Sequence, residues 1–121
     1  MNIELATVEA VWNTFERRWG YEISDVSKAN KGWDLEAVRD NERLKIEVKG
    51  CSGSIASAEL TPTEYHHARK HRDYRICIVT NALLKPEVHI FSPFLDGSWW
   101  DESGERQLVL EERKAARLSV I

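Results

Sequence analysis

Apolar residues recur along residues 3–19 at helical spacing: Leu5, Val8, Val11, Trp12, Phe15 and Trp19, with Glu9, Asn13, Glu16 and Arg17 between them. The pattern predicts an amphipathic helix that stops at Gly20, with Trp12 and Trp19 on its core-facing side. From Tyr21 the period changes to two. Residues 21–26 alternate as a short strand, and residues 27–31 read as a polar loop carrying Lys28 and Lys31. Two further β-rich runs, 32–38 and 43–50, flank the turn formers Arg39-Asp40-Asn41-Glu42 and predict a hairpin. In its second strand Leu44, Ile46 and Val48 point one way, and Lys45, Glu47 and Lys49 the other.

Residues 51–58 are small and polar, a loop expected to be flexible or to face a substrate. Thr61-Pro62-Thr63-Glu64 then carries a helix-start signal: Thr61 as N-cap, Pro62 as first helical residue and Glu64 as the capping-box partner. The helix runs to about Arg72 and is followed by Arg75–Thr80, an apolar run that reads as a buried strand. Strand, helix and buried strand in that order imply a right-handed parallel crossover. Val88–Phe91 predicts one more strand. Beyond Pro93 the pattern is weaker: a Trp99-Trp100 pair placed in the core or at a dimer surface, an Asp-Glu-Ser-Gly turn, a strand at 108–110, and a helix or charged tail over 111–118. The fold class is therefore α/β, an αβββαβ core with a mixed central sheet flanked by helices, followed by a C-terminal addition from 93 to 121.

Length and composition narrow the setting. A chain of 121 residues makes one domain with a genuine core. It has no apolar run long enough to cross a bilayer and no signal-peptide h-region, so no membrane role is expected. Cys51 and Cys77 lack ligand-like spacing, which argues against a disulfide framework or a zinc site and favours a reducing, cytoplasmic location. The formal net charge of −3 argues against a strongly basic nucleic-acid coat, although residues 41–80 carry a mild basic excess with His66, His67 and His71. His67 and His71 are spaced as a metal pair could be, but a solvated helix face accounts for them more simply.

The hairpin holds the candidate chemistry. Asp34 begins the first strand, opposite the end of the second, so the register brings Asp34, Glu47 and Lys49 together. Two carboxylates and an ammonium converging at a strand end can hold a divalent metal and a water molecule. Arg69, Lys70 and Arg72 on the following helix, with Lys28 and Lys31 in the loop before Asp34, are candidates for positioning phosphates.

The motif Asp34 … Glu47-Val48-Lys49, with Glu9 on the first helix and a parallel crossover helix after it, resembles the PD-(D/E)XK nuclease superfamily, whose fold is restriction-endonuclease-like. Residues Gly20 to Val26, Asn30 to Leu35, Ile46 to Gly50 and Leu60 to Glu64 resemble more closely the NO VEIN C-terminal-type domain, a branch often attached to larger proteins. Trp33 stands where the superfamily's naming proline would be. The resemblance implies a Mg²⁺-dependent endonuclease acting on DNA, with Mn²⁺ as a substitute ion, in restriction or another defence against foreign DNA. Asp34, Glu47 and the Val48 carbonyl would bind the ion; Lys49 would orient or deprotonate water, or stabilise developing charge. Glu9 would hold Lys49 or help bind a second metal. The same resemblance leaves room for a homodimer, for fused or neighbouring partner domains, and for a non-catalytic module that binds nucleic acid or protein.

Overall fold

A computed structural model describes residues 2–114 and 118–120. Helix α1 (Ile3–Asn13) opens at Asn2, whose side chain accepts from the Leu5 N–H. The expected single helix to Trp19 instead passes into a π-helical turn at Thr14–Arg18, after which the Tyr21 N–H reaches back to the Phe15 carbonyl. Val11 and Phe15 are buried, while Trp12 and Trp19 are half-buried against the core rather than within it. Phe15 meets the rings of Trp19 and Tyr21 edge-on, with centroids 5.3 and 5.7 Å away.

The strands among the described residues are β1 (Glu22–Asp25), β2 (Leu35–Arg39), β3 (Glu42–Gly50), β4 (Tyr74–Thr80), β5 (Glu87–Pro93), β6 (Trp99–Asp101) and β7 (Gln107–Leu108). They form one sheet in sequence order. Every neighbouring pair is antiparallel except β3 and β4, which run parallel because α2 (Pro62–Lys70) crosses between them. The α-β-β-β-α-β order and the mixed sheet are those expected. The C-terminal segment is part of the sheet: β6 and β7 extend it beyond β5, and buried Trp99 packs edge-on to Tyr74. Residues 111–114 have no regular structure, and the rest of the expected tail helix falls partly on 115–117, outside the described residues.

The two sheet faces carry different loads. Toward α1, Leu44, Ile46, Cys77, Val79 and Ile90 join Val11 and Phe15 in one apolar cluster. Toward α2, Ala68 covers Tyr74, Ile76, Ile78 and Phe91. Cys77 is a fully buried core residue, as expected, and burial pushes its thiol pKa up. Gly50 ends β3 beneath α1, where a Cβ would overlap the Thr7 hydroxyl. That hydroxyl donates to the Ile3 carbonyl, so Thr7 is buried without an unmet polar group. No helix among the described residues is long and apolar enough to cross a membrane.

Candidate functional site

Asp34 is set by the chain on both sides of it. The register that pairs Leu35 with Ile46 places it across from Glu47; its N–H donates to the Ile46 carbonyl at 2.9 Å, and its Oδ2 accepts from the Val48 N–H at 3.0 Å. The loop leading into it turns at Gly32, whose φ of +100° suits glycine and where a Cβ would overlap the His67 ring. The Tyr74 hydroxyl, rooted at the start of β4, donates to the Gly32 carbonyl at 2.7 Å. Trp33 meets His67 and His71 edge-on and donates its Nε1–H to buried Glu36. The Asp34 carboxylate therefore projects from a loop clamped by α2, β2 and β4.

Glu47 and Lys49 alternate onto the α2 face of β3. Glu47 is almost wholly buried, and its Oε1 lacks a hydrogen-bond partner, the case to be explained among the described residues. Lys49 Nζ lies 3.4 Å from Glu47 Oε2 and 2.9 Å from Glu64 Oε1. Glu64 comes from the first turn of α2, where the expected capping box has formed: Thr61 Oγ1 accepts from the Glu64 N–H, and Glu64 Oε1 accepts from the Thr61 N–H. One carboxylate oxygen thus caps a helix and anchors the lysine.

Two glutamates flank the Lys49 ammonium, and Asp34 adds its charge beside Glu47. Burial, then the charges of Asp34 and Glu64, push the Glu47 pKa up to about 9; Lys49 opposes them without prevailing. Near neutrality Glu47 is protonated, the form that can hydrogen-bond to the Asp34 carboxylate. Burial disfavours the charge on Lys49, but its bond to Glu64 and the charges of Glu47 and Glu64 outweigh this and raise its pKa. Lys49 is consequently a cation, not a base. Glu64 is also partly desolvated, yet the Thr61 N–H and Lys49 hold its pKa below the ordinary glutamate value. Tyr74 is raised by burial and by the negative field of Glu47, Glu64 and Asp34, so its phenol stays a neutral donor.

The structure thus brings Asp34, Glu47 and Lys49 together as the sequence predicts, and leaves Glu9 out. Thr7 faces the sheet, and Glu9, two positions or about 200° further round the helix, is exposed in a groove with Leu5, Val8 and Trp12. α1 moreover covers the sheet face opposite Glu47. Val48 turns its side chain to α1 and gives its N–H to Asp34. Of the candidate phosphate contacts, Lys28 and Lys70 are exposed, Lys31 is ion-paired with Glu36 at 3.3 Å, and the Arg69 guanidinium lies over the Tyr65 ring. His67 and His71 are half-buried rather than simply solvated: their rings lie parallel, and His67 Nδ1 is 3.2 Å from His71 Nε2.

Glu64 and Tyr74 were not among the predicted site residues. The capping-box signal accounts for Glu64 without revealing its second partner, and no spacing signals Tyr74, whose link to Gly32 spans 42 residues.

The donor set fits a hard divalent cation. The unpartnered, buried Glu47 Oε1 beside Asp34 is an oxygen that such an ion would satisfy, and Mg²⁺ typically takes one or two carboxylates and keeps several waters. Among the described residues no group of three His, Cys, Asp or Glu side chains is gathered as a self-sufficient metal cage. Comparison with curated proteins and with solved structures finds no match in either. A family profile does match, over residues 3–91, a span that runs from the first residue of α1 into β5 and contains Asp34, Glu47, Lys49 and Glu64. The chain belongs to the family described as Protein NO VEIN, C-terminal.

Proposed function

We propose that this domain is a divalent-metal-dependent nuclease that hydrolyses DNA phosphodiester bonds. The observation that carries the reading is Glu47: a buried carboxyl with one oxygen unpartnered, across from Asp34 and beside a lysine held by a second glutamate. A carboxyl kept where its ionisation is so costly fits a functional site better than a stabilising one.

Asp34 and Glu47, with the Val48 carbonyl, would hold Mg²⁺ or Mn²⁺, which when bound supplies an acidified water and neutralises phosphate charge. The chain's own residues do the rest. Asp34 is oriented by the Val48 N–H and by the clamped Gly32 loop. Lys49, kept protonated by Glu64, orients water and stabilises the charge developing on the phosphate. Glu47 gives up its proton when it becomes a ligand, so loading is favoured as pH rises. Lys28, Lys70 and Arg72 are exposed cations that would meet phosphates. A role in restriction or defence against foreign DNA is what the resemblance to the PD-(D/E)XK superfamily implies.

The test is cleavage of plasmid and single-stranded DNA with Mg²⁺ or Mn²⁺ by the wild-type chain, Asp34→Ala and Lys49→Ala. Metal-dependent nicking lost in both variants is the expected result. Cleavage surviving both substitutions refutes the site. A folded chain that neither cleaves nor is stabilised by divalent metal favours the alternative, a non-catalytic module binding nucleic acid or protein.

A further inference from the structure

The flank of α2 away from β3 carries a second feature. Glu64 turns toward Lys49 on β3, whereas Tyr65 and Arg69 turn toward β6 and β7 and line a pocket of about 250 Å³ with Ser98, Trp99, Gln107 and Leu110. Seven of its nine lining residues lie beyond residue 91, outside the span matched by the family profile, so the C-terminal strands build most of the pocket onto the matched core. The wall chemistry is mixed. Tyr65 offers an aromatic face with the Arg69 guanidinium 5.5 Å from its centroid. Ser98 contributes a hydroxyl, already used by the Trp100 indole and Asp96, and Gln107 an exposed amide.

From this geometry we infer that the pocket takes a single unpaired nucleobase of the nucleic acid cut at the Asp34–Glu47–Lys49 site, an inference that rests on the nuclease reading. A base is planar, stacks on aromatic and guanidinium faces, presents hydrogen-bonding edges to an amide, and is tethered to an anionic backbone that Arg69 attracts. A flat apolar ligand would leave Arg69 and Gln107 unused. The pocket is also within a strand's reach of the site. β3 and β6 are three inter-strand spacings apart, about 14 Å, a span that a few nucleotides of a single strand cover. The pocket therefore reads a base a few positions from the scissile phosphate and favours single-stranded or frayed substrates.

Binding is measured in EDTA, where no cleavage occurs, by fluorescence anisotropy of a short fluorescein-labelled single strand and of the same strand made abasic. Tyr65→Ala and Gln107→Ala are compared with the wild-type chain; Gln107 is exposed, so its replacement leaves the fold intact if Tyr65→Ala does not. The expected result is about tenfold weaker binding of the intact strand on losing the stacked base, and no effect of either substitution on the abasic strand. Equal losses on both strands, no loss on either, or no measurable binding by the wild-type chain overturns the inference. Base-dependent binding in a chain that never cleaves DNA would instead leave the pocket standing and remove the nuclease reading.

Discussion

Replacing Glu47 by glutamine should stabilise the domain near neutral pH, although it removes a residue of the proposed active site. In the unfolded chain this carboxyl titrates near 4.5, and in the fold it is pushed up to about 9. The folded state then binds the extra proton, so the stability this group allows is full below 4.5 and is lost progressively as pH rises toward 9. At pH 7, roughly 2.5 units above the unfolded value, the loss is about 3 kcal/mol at 1.36 kcal/mol per unit. Glutamine has the same shape and no charge to suppress. Glu47→Gln should therefore gain about 3 kcal/mol at pH 7, about 10 °C in melting temperature for a chain of this size, with the gain shrinking below about 1 kcal/mol at pH 5. Urea or thermal melts in EDTA from pH 5 to 8 measure it. If Glu47 were ionised and paired with Lys49, the substitution would destabilise at pH 7; that result, or a difference that does not narrow toward pH 5, refutes the reasoning. With Mg²⁺ added, wild-type stabilisation should grow from pH 6 to pH 8 and be absent from the variant, because the ion must displace this proton.

Gly32→Ala should cost about 2 kcal/mol, since alanine there is strained by the positive φ and meets the His67 ring; a thermal melt unchanged within error would contradict it. Tyr74→Phe should lose about 1 kcal/mol with the hydrogen bond to the Gly32 carbonyl, and should lower cleavage further than stability explains, read from initial rates at a temperature where both proteins are folded. Glu64→Gln should cost about 1 kcal/mol from the weakened cap and shift the pH profile of cleavage, because Lys49 loses its charged partner; an unchanged profile would separate Glu64 from the chemistry. Glu9→Gln should leave metal-dependent cleavage within about twofold of wild type, and a loss of orders of magnitude would return Glu9 to the site.

What was legible in the sequence was whatever local chemistry decides. Thr61-Pro62-Thr63-Glu64 specifies its own capping box, and the period-two pattern of Arg43–Gly50 specifies which side chains share a face, so the start of α2 and the meeting of Asp34 with Glu47 both followed. The phase of α1 followed only in part. Val11 and Phe15 are buried and Val8, Trp12 and Trp19 pack against the core as expected, but Leu5 is 60% exposed and Thr7 turns inward instead. The polar Thr7 can lie inside because Ile3 takes its hydroxyl and Gly50 leaves it room, a condition set by two segments more than forty residues apart. Glu9 came from the family resemblance alone, and its exposed position on α1 keeps it away from the site. The second partner of Glu64 was hidden for a related reason: its contact with Lys49 depends on how the crossover seats α2 over β3.

Stability and chemistry are joined in β3. Leu44, Ile46 and Val48 anchor the strand in the core beneath α1, and the alternate residues Lys45, Glu47 and Lys49 are thereby forced onto the opposite face. A slip of one residue would send Glu47 into the apolar cluster and expose its anchors, so burial on one side sets the register of the carboxylates on the other. The Thr7–Gly50 approach fixes the end of the strand against α1, while Glu64 fixes Lys49 from α2. The buried Glu47, with its Oε1 unpartnered, is tolerable because both faces are held this firmly. Its proton then becomes the group that a divalent cation would exchange, placing metal loading and fold stability on the same carboxyl.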